Sequence, residues 1–82
     1  IDENDFITSV SVYPNPFNNS LTVSIDMEED CELTVMDCHG RELVNTSINE
    51  KLTLSTDDWS YGVYMVKVTN LVGISKITKI IK

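Results

Sequence analysis

Lysine and arginine are missing from the first 37 residues of this chain. That stretch holds nine acids (Asp2, Glu3, Asp5, Asp26, Glu28, Glu29, Asp30, Glu32 and Asp37). A formal net charge of −7 argues against nucleic acid as a partner, because neutralising a phosphate backbone needs a broad basic face. Long apolar runs are also missing, so no segment approaches a membrane span and no membrane insertion is expected. Glycine and proline number three and two, too few for a disordered or fibrous sequence. The opening I-D-E-N-D-F has no basic n-region and no apolar h-region, so it is not a secretory leader. It has no initiator Met either, and it reads as a junction in a chain cut from something longer.

Chemistry-bearing residues are equally sparse. There is one histidine, His39, and no C-x-x-C pair, so no metal site is predicted and His39 reads as a solvent-facing turn residue. Asp26, Glu28, Glu29 and Asp30 could be imagined around calcium, but they lack the alternating carboxylate order of a calcium loop. No glycine-rich phosphate loop and no nucleophile elbow is present, and Asp57-Asp58 reads as a solvated turn. No cofactor is expected, and the domain reads as a non-enzyme. Cys31 and Cys38 stand seven apart in a strand-like run, roughly 20 Å or more if extended, whereas a disulfide needs Cα atoms about 4.4–6.8 Å apart. Both are therefore expected to be free, buried thiols. The triplets Asn18-Asn19-Ser20 and Asn45-Thr46-Ser47 match a glycosylation acceptor, a pattern common by chance.

What is present is alternation. Eighty-two residues, 41% of them hydrophobic, form one domain able to bury roughly two-thirds of its unfolded surface. Val10–Tyr13, Leu21–Asp26, Cys31–Asp37, Leu43-Val44, Leu52–Ser55, Val63–Val68 and Ile74–Lys82 read as strands. The acidic patch Met27–Asp30, His39-Gly40, the polar stretch Asn45–Lys51, Thr56–Tyr61 and Asn70–Gly73 read as turns or loops. The final I-S-K-I-T-K-I-I-K repeats every three residues and could be drawn as a short helix. Its β-branched content favours a strand, held by Ile80 and Ile81. The fold class is all-β: one antiparallel immunoglobulin-like β-sandwich of about seven short strands. Tyr13, Trp59 and Tyr64 fall where a core would want them.

The stretch V-Y-P-N-P-F-N-N-S-L-T-V interrupts this pattern with Pro14-Asn15-Pro16. Each proline fixes its own backbone and holds Tyr13 and Asn15 extended. Neither can donate to a sheet, so the first strand must end or change sheets there.

Four blocks then occur in order across residues 12–82: V-Y-P-N-P-F, L-T-V-M-D-C-H-G-R-E-L-V, W-S-Y-G-V-Y-M-V-K-V and K-I-T-K-I-I-K. Together they resemble the type A C-terminal sorting domain of the type IX (Por) secretion system of Bacteroidota. Such domains carry an early Y-P-N-P, a D-x-x-G-R/K turn, a G-x-Y before an alternating strand and a lysine-bearing last strand. Cys38, where the family often has an aliphatic residue, and Trp59, in place of a usual Leu, depart from that pattern.

The resemblance implies a role that composition does not show. Residues 1–9 would link to a preceding cargo domain of the same chain and residues 10–82 would be the sorting domain. The cargo would reach an outer-membrane translocon from the periplasm. A shuttle protein would deliver it to a sortase that removes the domain, leaving cargo at the cell surface or secreted. Cleavage would fall near Ile1, Asp2, Glu3, Asn4, Asp5, Phe6, Ile7 and Thr8, an accessible acidic run. Pro14, Asn15 and Pro16 would form the entry corner, Asp37, Gly40 and Arg41 the mid-chain turn, and Gly62 and Tyr64 the lead-in to the last strand. Lys76, Lys79 and Lys82 would lie in its signal-bearing end, contributing little to stability. Each of these also has a plain fold-maintenance reading: turn glycines, a core tyrosine, edge lysines that deter aggregation. The domain alone is expected to be monomeric. The rival reading is an immunoglobulin-like binding or spacer module of a secreted bacterial enzyme.

Overall fold

The computed structural model describes residues 9–26 and 29–82. The cleavage region at residues 1–8 and the centre of the acidic turn at Met27 and Glu28 lie outside them. Among the described residues there are seven strands: β1 (Val10–Tyr13), β2 (Ser20–Ile25), β3 (Asp30–Asp37), β4 (Glu42–Asn49), β5 (Lys51–Ser55), β6 (Val63–Thr69) and β7 (Ser75–Ile81). They form two antiparallel sheets, β1-β2-β5 and β4-β3-β6-β7. The all-β sandwich is as the alternation predicts.

The period of two fixes what each strand buries. Leu21, Val23 and Ile25 on β2 face Cys31, Leu33 and Val35 on β3 and Val66 and Val68 on β6 across the sandwich, with Ile80 of β7 at the edge; all are buried. The last segment is a strand throughout, so β-branching prevails over its threefold repeat. Adjacent residues of a strand cannot both face inward, and this corrects two expectations. Ile80 is fully buried while Ile81 is 45% exposed, so only Ile80 anchors β7 through its side chain. Tyr13 is 43% exposed because Val10 and Val12 take the inner face of β1.

The polar stretch Asn45–Lys51 is not a loop. Residues 45–49 continue β4, and Lys51 already begins β5. β4 is a sheet edge whose side chains, except Ile48 and the half-buried Val44, are exposed, so pairing with β3 suffices and no apolar alternation is required. Glu50 alone carries the chain from one sheet to the other at a positive φ of 66°, an angle rarely adopted outside glycine.

Cys31 is buried at the start of β3, whereas Cys38 is exposed in the turn after it. The expectation of two buried thiols is corrected at Cys38, because β3 ends at Asp37 and alternation no longer applies. Burial, then the charges of Glu29 and Asp30, push the Cys31 thiol above its ordinary range. In a native thiol titration Cys38 should react at once and Cys31 slowly, with two thiols counted after unfolding. Equal native rates would contradict this burial.

Candidate functional site

The Pro14-Asn15-Pro16 corner meets the end of the last strand. Both X-Pro bonds are cis, and Asn15 is turned toward β7. The Asn15 Oδ1 accepts from the Ile81 N–H (3.1 Å), and its Nδ2 donates to the Lys79 carbonyl (3.4 Å). The Phe17 N–H donates to the Ile81 carbonyl (2.9 Å). The rigid step thus does for β7 what a neighbouring strand would, over its final residues only. Two residues 66 apart in sequence are joined here.

Beneath the corner lies an aromatic cluster. Phe17 is buried and packs edge-on against Trp59 (5.9 Å) and Tyr64 (5.8 Å). Tyr64 donates its hydroxyl to the Ser60 carbonyl (2.5 Å), and burial, then the charges of Asp37 and Cys38, push its pKa up. Gly62, at a φ of 152°, occupies backbone space closed to other residues and exchanges two hydrogen bonds with Lys82 (2.9 and 3.2 Å).

The three lysines of the last strand are not equivalent. The Lys82 ammonium donates to the carbonyls of Thr56 (2.5 Å), Trp59 (2.7 Å) and Asp57 (3.4 Å) and lies 5.5 Å from the centre of the Tyr61 ring. Thr56 is itself fully buried, with its hydroxyl on the Asn18 carbonyl (2.7 Å). Lys76 donates to the Val10 carbonyl (2.8 Å) and so bridges β7 to β1 of the other sheet. Lys79 is exposed, and among the described residues its ammonium makes no hydrogen bond or ion pair. The expectation that all three contribute little to stability is corrected for Lys76 and Lys82, whose amines hold backbone carbonyls that sequence cannot display.

Asp37, Gly40 and Arg41 form the expected turn. Asp37 Oδ1 accepts from the backbone amides of His39 (2.9 Å) and Arg41 (3.0 Å), and its Oδ2 accepts from Arg41 Nε (2.7 Å). Gly40 takes a φ of 81°. Burial alone would raise the Asp37 carboxyl, but the amides of Arg41 and His39 and the guanidinium outweigh it and hold it below the usual carboxylate range. A depressed carboxylate stabilises the fold above its unfolded pKa, and that contribution is lost as pH falls through the folded pKa. Asp37→Asn should lower Tm at neutral pH and flatten the fall of Tm in acid. An unchanged acid limb in thermal melts would contradict the assignment.

This turn, with Leu43 and residues Asp58 to Tyr64, lines a cleft of about 530 Å³ at one end of the sandwich. Among the described residues no group of three or more His, Cys, Asp or Glu could hold a metal. The structure brings the corner, Gly62, Tyr64, Lys79 and Lys82 to one end of the β6–β7 pair and leaves Lys76 nearer the other. Sequence reasoning missed Phe17, Thr56 and the carbonyls of residues 56–59. Phe17 could have been found as the first apolar residue after a corner that must be pinned.

Residues 11–82 match the family described as the secretion system C-terminal sorting domain. The chain belongs to this family. A sorting-signal domain is a targeting module, and the chain is not an enzyme. The fold is also that of a solved DUF3244 family protein with an immunoglobulin-like β-sandwich fold from Bacteroides vulgatus. That protein is 15% identical over 90% of this chain and 83% of its own, with a TM-score of 0.76. No curated protein matches the chain.

Proposed function

We propose that this sorting domain directs a cargo, carried in the same chain before residue 10, through the type IX outer-membrane translocon. A shuttle protein then hands it to a sortase, which removes the domain at the cell surface. The cargo passes through the periplasm and ends on the surface or in the medium. The family match over residues 11–82 carries this reading. The clamped end of β7 supports it, because a signal must be presented in one fixed conformation to be read by a receptor. The recognised surface is β7, held at its end by the corner: Pro14, Asn15 and Pro16 set the clamp, and Gly62 and Tyr64 seat the strand. Lys79 presents an exposed charge, Lys76 and Lys82 fix the strand to the body, and Asp37, Gly40 and Arg41 hold the adjoining turn. Cleavage falls in residues 1–8.

A periplasmic fluorescent passenger fused ahead of residues 1–82 tests this in a host with the type IX apparatus. The passenger is expected at the surface or in the medium. Its C-terminus, read by mass spectrometry, is expected within residues 1–8 of this numbering. Surface passenger that keeps all 82 residues would contradict removal.

A further inference from the structure

The β6–β7 ladder uses alternate residues. Gly62 and Lys82 are bonded at one end, and the Asn70 N–H reaches the Ile74 carbonyl (2.9 Å) at the other. Alternation between these ends makes Tyr64–Ile80, Val66–Thr78 and Val68–Lys76 the bonded pairs. The backbone groups of Ser75, Ile77, Lys79 and Ile81 therefore face away from β6, where β7 ends its sheet. Asn15 and Phe17 satisfy both groups of Ile81 and the carbonyl of Lys79. Among the described residues, the Lys79 N–H and both backbone groups of Ile77 and Ser75 have no partner.

We propose that this open stretch, Ser75–Lys79, accepts an extended acidic segment of the export machinery as an added β-strand. Asn15 is the positioning residue that sets its register by closing the edge at Lys79–Ile81. The proposal rests on the sorting reading and deepens it, from a recognised strand to a mode of recognition. Charge selects the occupant. β7 carries Lys76 and Lys79 and no acid, and Lys67 lies opposite Ile77 on β6. On the exposed face Ile77, 55% exposed, and Ile81 alternate with Lys79. The complement is a strand with a carboxylate beside Lys79 and an apolar residue beside Ile77. A second copy is a poor occupant, because pairing β7 with itself gathers Lys76 and Lys79 of both copies along one seam.

Amide hydrogen exchange on the free 82-residue chain comes first. The amides of Ser75, Ile77 and Lys79 are expected to exchange freely, and those of Thr78, Ile80 and Ile81 slowly. Asn15→Ala should release Ile81 alone. Protected Ser75 and Ile77 amides in the free chain would overturn the proposal, since the edge would already be covered. The passenger fusion comes second. Ile77→Pro removes an outward donor and leaves the β6–β7 bonds intact, a position where an edge strand tolerates proline. Its export is expected to fall roughly fivefold or more, the worth of a lost hydrogen bond, while Ile77→Thr, which keeps the N–H, exports normally. Should Ile77→Pro not fold, Ile77→Glu changes only an exposed side chain and sets a like charge against the acidic segment, with the same expected loss. Normal, translocon-dependent export of folded Ile77→Pro or Ile77→Glu would overturn strand addition and leave the sorting reading standing. Export that ignores the translocon would overturn both.

Discussion

Phe17→Ala is expected to cost about 3–5 kcal/mol, the usual penalty for emptying a buried aromatic site. The ring is 3% exposed and touches both Trp59 and Tyr64, so little around it can collapse into the space. For a domain of this size such a loss lowers Tm by roughly 12–40 °C, out of a total stability of about 5–15 kcal/mol. The effect should reach function as well, because Phe17 also supplies the backbone donor to Ile81 and carries the corner that holds Asn15. Thermal melting followed by circular dichroism measures it. A loss below about 1 kcal/mol would mean that the aromatic cluster is not the support of this end of the sandwich.

The second large effect separates stability from export within a single strand. Lys82→Met leaves the carbonyls of Thr56, Asp57 and Trp59 without their ammonium. It should cost about 1.5–3 kcal/mol, the range for hydrogen bonds to a charged donor. Lys79→Ser removes an exposed charge that has no hydrogen bond or ion pair among the described residues, and its cost should stay within about 0.5 kcal/mol. Export should follow the opposite order at temperatures where both variants are folded. Lys79→Ser is expected to lose roughly fivefold, the worth of about 1 kcal/mol at a docked charge, and Lys82→Met less. Equal melting of the two variants, or normal export of Lys79→Ser, would assign the lysines differently.

The contrast between these lysines marks what the sequence could convey. β2, β3 and β6 were legible because each buries one face, and burial writes a period of two into the residues. β4 was not, because an exposed edge strand needs no apolar face and looks like a loop. Cys38 and Tyr13 were misplaced at the points where a strand ends or its parity is set by neighbours. The turn of Asp37, Gly40 and Arg41 was legible because its parts lie within five residues of one another. The corner was legible as a stiff bend, but its partner is 66 residues away. The receptors for Lys76 and Lys82 are backbone carbonyls, which every residue type carries alike. Side-chain identity therefore gave no hint of which lysine was engaged and which was left exposed.

The most direct measurement compares one fusion in two hosts. A periplasmic fluorescent passenger carrying residues 1–82 is expressed in a type IX-competent strain and in its translocon-null derivative, and surface and medium fluorescence are counted against the periplasmic pool. Passenger should reach the surface or medium in the first strain and remain in the periplasm in the second. Equal delivery in both strains would contradict the reading of this domain as a type IX sorting signal.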